Sequence, residues 1–141
     1  MSLDGPGAAV GRRRLAWRWA VNALYATALV AMALSPSLPA AVPDLVVVPD
    51  WAAHGLAYGV QASLIFWARL PVAGRLRAAA TGIVGASAFG AVTECLQLLQ
   101  PARAVEVRDL AANTVGAVLV CGAVATVSSL VARRRTWRPR S

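Results

Sequence analysis

The chain contains no lysine, six acidic residues and a single histidine among 141 positions. All fourteen strong bases are arginine. Charged residues make up 14% of the chain. That excludes the evenly charged surface of an ordinary soluble domain, where about 25% is usual. The two cysteines, Cys95 and Cys121, are too few for a disulfide framework, and both fall in apolar stretches. Set on helices, their depths differ by roughly 9 Å at ~1.5 Å rise per residue, beyond disulfide reach, so both read as small buried side chains. What is abundant is apolar: 58% of residues are hydrophobic and mean hydropathy is +0.60. Both departures point to a bilayer. The length fits one domain.

The net charge of +8 raises nucleic acid as a partner. The arginines instead lie in blocks flanking apolar stretches, where they act as topology signals, and no nucleic-acid partner is expected. Arginine without lysine, with abundant alanine and valine, is the composition of a GC-rich bacterial genome.

Four apolar stretches approach the ~20 residues that span a bilayer. They run over Ala16–Leu34, Trp51–Leu70, Ala78–Leu99 and Leu110–Ala132. Prolines 36, 71 and 101 follow the first three, where chain cannot continue as helix. Twelve arginines (12, 13, 14, 18, 69, 75, 77, 133, 134, 135, 138 and 140) fall on one side of these spans, and only Arg103 and Arg108 on the other. This asymmetry places both termini in the cytoplasm. Trp17, Trp19, Trp67 and Trp137 sit at inner boundaries and Trp51 at an outer one, as an interfacial belt requires. The expected fold is an all-α membrane protein, a bundle of four transmembrane helices with both termini cytoplasmic. Residues 1–11 read as a disordered tail, 12–135 as the transmembrane domain and 136–141 as a basic tail. The loop over 35–49 lies on or dips into the outer leaflet, or forms a short strand. A signal peptide ending at Ala31-Met32-Ala33 is the rival reading of the first stretch, but its apolar run is long for one.

Small residues recur every four positions in the third stretch (Gly82, Ala86, Gly90, then Glu94) and in the fourth (Asn113, Ala117, Cys121, Ala125, Ser129). Such rows permit close helix contact in lipid. They run into polar groups, so the packing faces are also the faces that carry Glu94 and Asn113. In the second stretch Asp50, His54 and Tyr58 share one face, with Gly55, Gly59 and Ser63 beside it.

Chain direction brings Asp50, His54, Glu94, Gln97, Asp109 and Asn113 to the outer third of the membrane, with Arg103, Glu106 and Arg108 in the turn above. Ionisable groups at membrane depth are costly and persist where they pair, bind or react. Each has a plainer reading. Asp50 and Asp109 can cap helix amides. Asn113 can be an interhelical hydrogen-bond donor, Tyr58 a packing residue, and Arg103 a headgroup contact. Glu94, inside a helix, most needs a partner.

The order Asp50-Trp51-Ala52-Ala53-His54 with Tyr58, Glu94-Cys95-Leu96-Gln97, Pro101-Ala102-Arg103, and Asp109-Leu110-Ala111-Ala112-Asn113 with Gly116 resembles the VanZ-like family. Its members carry D-x-x-x-H, E-x-x-Q, an arginine after a proline-containing turn, and D-x-x-x-N-x-x-G in that order. The match covers roughly 12–135. Where the family often has lysine after the first aspartate, this chain has Trp51. The resemblance implies a small multi-helix bacterial membrane protein, associated in its namesake with low-level resistance to teicoplanin-type glycopeptides. No reaction is assigned to the family, so no catalytic role transfers; Asp50, His54, Glu94, Gln97, Arg103, Asp109 and Asn113 match its motif positions.

Three functions remain open. The first is binding or modification of an outer-leaflet component, a lipid-linked wall precursor or a lipopeptide. There His54, Glu94 or Asp109 would act as base and Arg103 would hold an anionic headgroup. Asp50, His54, Tyr58, Glu94, Gln97, Arg103, Asp109 and Asn113 would form the ligand site. The second is a non-enzymatic interaction protein that shields a lipid or drug target. The third is an ion-coupled transporter, disfavoured because below Tyr58 the second helix offers only Gln61 and Ser63. Membrane lipids are the expected partners, and an oligomer is open. No cofactor is assigned; the spacing of Asp50, His54, Glu94 and Asp109 is not a strong signature for a bridging divalent metal.

Overall fold

The computed structural model describes residues 6–35, 49–98 and 107–136, with side chains over 10–35, 49–98 and 107–134. These residues are all-helical, in four helices: α1 (Pro6–Ala33), α2 (Asp50–Ala73), α3 (Arg75–Gln97) and α4 (Val107–Thr136). Two of them, α3 and the Val107–Arg134 part of α4, are long and apolar enough to cross a membrane. The other two are long enough, but Arg18 and Asn22 in α1, and His54, Tyr58 and Gln61 in α2, lower their hydropathy. The loop read over 35–49 lies outside the described residues apart from its ends, as do Pro101, Arg103, Glu106, Trp137, Arg138 and Arg140.

Two boundaries differ from the sequence reading. Helix α1 begins at Pro6 and takes in half of the stretch read as a tail. Proline supports this start, since its missing N–H costs nothing in a first helical turn. Helix α2 passes through Pro71 and ends at Ala73. A proline at 71 leaves the carbonyl of Trp67 without its helical donor. Arg18 of α1 fills that place: its Nη1 donates to Trp67 O at 2.8 Å, and its guanidinium lies 4.9 Å from the centre of the Trp67 ring. The expected stop therefore becomes a docking point for α1. Gly74 makes the turn to α3 at φ 71, ψ 167, a conformation open essentially to glycine alone.

Contacts at paired heights give the helix directions. Arg18 meets Trp67, and the Tyr25 hydroxyl donates to Ala57 O at 3.1 Å, so α1 and α2 are antiparallel. Gly82 abuts Ala62 and Phe66 while Gly90 abuts Tyr58, so α2 and α3 form an antiparallel hairpin. Gly55 faces Ala112 and Gly116, and Gly59 faces Gly116 and Val120, so α2 and α4 run parallel in close contact. Helix α2 is thus central, touching the other three; among the described residues α1 does not reach α4.

The interior is built mostly from small and polar residues, with Tyr58, Ile65 and Phe66 of α2 as its large side chains. Ala62, Ala68, Ala78, Ala86, Ala117 and Cys121 are buried with Gln61, Thr93, Glu94, Gln97 and Asn113. Leu24, Leu56, Val84, Leu119 and Leu130 point outward. The small rows read from the sequence do face inward: Gly82, Ala86, Gly90 and Glu94 are all buried, as are Asn113, Ala117 and Cys121. Both cysteines are free, Cys121 buried and Cys95 exposed.

Two outcomes follow. A Cβ on Gly116 would collide with the backbone of Gly55, whereas one on Gly122 meets open space. Gly116→Ala should cost about 1–3 kcal/mol or more by overpacking, and Gly122→Ala should gain up to about 1 kcal/mol from helix propensity, both read by unfolding in detergent. Arg18→Met should lower stability, and less so in a Pro71→Ala background, where residue 71 can again donate to Trp67 O; equal losses in both backgrounds would refute the docking role.

Candidate functional site

The helix directions collect the N-termini of α2 and α4 and the C-terminus of α3 at one end of the bundle. Most of the described arginines lie toward the opposite end, and Arg108 is at this one. Because Gly55 sits against Ala112 and Gly116, the residues just before them on the two helices also face each other. Asp50 comes beside Asp109, and His54 beside Asn113.

The sequence carries a signal for this pairing that motif reading passed over. Helix α2 opens Asp50-Trp51-Ala52-Ala53-His54, and α4 carries Asp109-Leu110-Ala111-Ala112-Asn113 in its first turns. Two parallel helices with the same acid, alanine pair and polar residue at one register set like positions against like.

His54 joins three helices. Its Nδ1 lies 3.3 Å from Asn113 Oδ1 on α4 and 3.8 Å from Glu94 Oε1 on α3. With Asn113 Oδ1 as acceptor, the hydrogen bond is made by the tautomer that has its proton on Nδ1. Glu94 is only 3% exposed. A carboxylate in such a place needs a cation or donor, and the imidazole supplies one. A His54 ring nitrogen and one oxygen each of Asp50 and Asp109 also lie within 4.8 Å of one another. Asp50 is exposed and makes no capping hydrogen bond to α2, whose N-cap is Pro49; Asp109 is half-buried.

Tyr58 stands one turn below His54, their rings 6.5 Å apart and stacked. Its hydroxyl is engaged by Thr93, which itself donates to Gly90 O at 2.8 Å, so Tyr58 donates to Thr93. Tyr58 is buried beneath the site, its hydroxyl satisfied within the bundle. Thr93, which the sequence reading left out, forms the floor with it; its place beside Glu94 on α3 was the available signal. Gln97 is buried, and its Nε2 donates to Ala33 O at 3.5 Å, closing an open carbonyl at the end of α1. Arg103, matched to the site by sequence, lies outside the described residues.

Further polar atoms are buried without a hydrogen-bond partner among the described residues: Asn113 Nδ2 at the site, Gln61 Oε1, Asn22 Nδ2 and Ser87 Oγ below it, and Arg69 Nε toward the other end. Gln61, Asn22 and Ser87 share one height, which follows from the pairings of Tyr25 with Ala57 and of Tyr58 with Gly90.

Comparison with protein-family models, characterised proteins and solved structures finds no match to this chain.

The pairing of His54 with Glu94 is testable alone. His54→Ala removes the imidazole from beside the buried Glu94 and should cost about 1–3 kcal/mol. In a double-mutant cycle with Glu94→Gln, the coupling should be about 0.5–3 kcal/mol, read by unfolding in detergent. A coupling indistinguishable from zero would show that the two side chains do not act together.

Proposed function

We propose that this chain is a VanZ-like protein of the bacterial cytoplasmic membrane, with four spans and both termini inside. Its polar end faces outward and binds the headgroup of an outer-leaflet lipid-linked or lipopeptide component of the envelope. The large aliphatic exterior over a mostly small and polar interior supports a lipid surrounding, where small residues permit close packing and a water-driven core is not needed. The arginines at the end opposite the cluster support the orientation. The sequence motifs of the VanZ-like resemblance coincide with that cluster at Asp50, His54, Glu94, Asp109 and Asn113.

The observation that carries the reading is His54 tied to Glu94 and Asn113 on its inner side while Asp50 and Asp109 converge nearby. A group fixed from behind in this way is oriented toward something in front. An imidazole backed by a carboxylate also suits acid–base work, which favours a modifying form over simple shielding. Glu94→Gln separates the two: a shield that still folds keeps its effect, and an enzyme that uses the carboxylate loses orders of magnitude.

In a glycopeptide-susceptible bacterium, the wild-type chain should raise the inhibitory concentration of a teicoplanin-type drug. His54→Ala and Asp109→Ala, matched for membrane level, should return it to the empty-vector value. A wild-type strain no more tolerant than the vector strain would overturn the drug connection, and unchanged tolerance in both variants would overturn the site.

A further inference from the structure

We propose that Asp50, His54 and Asp109 form a site for a divalent transition metal ion, zinc or manganese. The proposal deepens the headgroup-binding reading and rests on it for the use to which the ion is put. The three residues offer one imidazole nitrogen and two carboxylate oxygens, all within 4.8 Å of one another. Imidazole suits zinc and carboxylate suits manganese, so the mixed set favours ions that accept both.

Independent observations point to a cation here. Nδ1 of His54 contacts Asn113 Oδ1 at 3.3 Å with Glu94 3.8 Å away, and the tautomer that donates to Asn113 keeps the lone pair on Nε2. A histidine oriented through one nitrogen by a polar partner, with a buried carboxylate nearby, is the usual support of a metal-binding imidazole. Neither Asp50 nor Asp109 has a hydrogen-bond or cationic partner among the described residues, and the ion pair of His54 is with Glu94. Two carboxylates and an imidazole therefore converge with no basic side chain between them among the described residues. A closed coordination sphere would need them slightly nearer, since zinc bonds of ~2.0–2.2 Å hold ligand atoms closer together than this. The carboxylate of Asp50 is exposed and free to make that movement. Glu94 stands behind His54, which removes it from the bridging set that the sequence alone suggested. Three protein ligands leave at least one position open, and an anionic headgroup oxygen, such as that of a phosphate, is the group it would accept.

The test uses the full-length protein in detergent, stripped with chelator and equilibrated separately with zinc chloride and manganese chloride. Elemental analysis after desalting should find about one ion per chain for one of them, as a single three-ligand site requires. Asp50→Asn, His54→Gln and Asp109→Asn should each weaken binding more than 10-fold, and Glu94→Gln, which leaves the three ligands in place, by about 10–100-fold. Asp50→Asn changes an exposed residue, so the fold should survive it, and the melting temperature checks this. Wild-type protein holding neither ion, or holding it equally well after all three ligand substitutions, overturns the proposal. Drug tolerance without bound metal would remove the ion and keep the headgroup reading. Bound metal without drug tolerance would keep the ion and remove the drug connection.

Discussion

The close contact between α2 and α4 sets everything else in this bundle. Gly116 packs so tightly on Gly55 that it has no room for a side chain, a Cβ on Gly55 would already crowd Ala112 O, and Gly59 is pressed against Val120, 2.6 Å from where its Cβ would be. Backbones this close cannot slide, because any shift of register drives a larger residue into the gap. Small residues at four-residue spacing are a common way to hold helices together where water provides no drive. Here the contact does more than hold. It fixes the relative height of two helix starts to within a fraction of a turn, and the polar residues of both starts stand directly above it.

Helix α3 completes the arrangement from the opposite direction. Its glycine row lets α2 approach at Gly82 and leaves room at Gly90 for both Tyr58 and Asn113. One turn beyond Gly90, the same row brings Glu94 to His54. A buried carboxylate is unfavourable without compensation, and the short polar chain Glu94–His54–Asn113 provides it with groups from three separate helices. The packing motif and the polar site are therefore one device: glycine makes the approach, and the next residue in the row uses it.

Much of this was legible in the sequence. The inward faces of α3 and α4 followed from their small rows, and the grouping of Asp50, His54, Glu94, Asp109 and Asn113 from chain direction. What was not legible depended on partners far along the chain. Pro71 reads as a stop because a proline removes a helical donor; nothing local reveals that Arg18, 49 residues earlier, replaces it. Gln97 fits a motif with Glu94, yet its amide also serves the end of α1. Hydropathy marks α3 and α4 as spans and leaves α1 and α2 short, because a sum along the chain counts Asn22 in α1 and Tyr58 and Gln61 in α2 as polar although all three are buried. The parallel direction of α2 and α4 followed from chain direction, but the register that sets the two Asp-x-Ala-Ala segments side by side needed the Gly55–Gly116 contact, which spacing alone does not give.

That parallel direction also explains how two aspartates come to share a small space. Each helix start carries a partial positive charge of roughly half an elementary unit from its aligned peptide dipoles. In an antiparallel pair the two helix starts would lie at opposite ends, and the two aspartates would not meet. With α2 and α4 side by side, two helix N-termini oppose two carboxylates, offsetting about one of their two charges. Arg108, beside Asp109 in sequence, stands at the same end, and His54 Nδ1 faces Glu94. A metal ion held between the two carboxylates would gain from the same charge that the helix starts already offset in part.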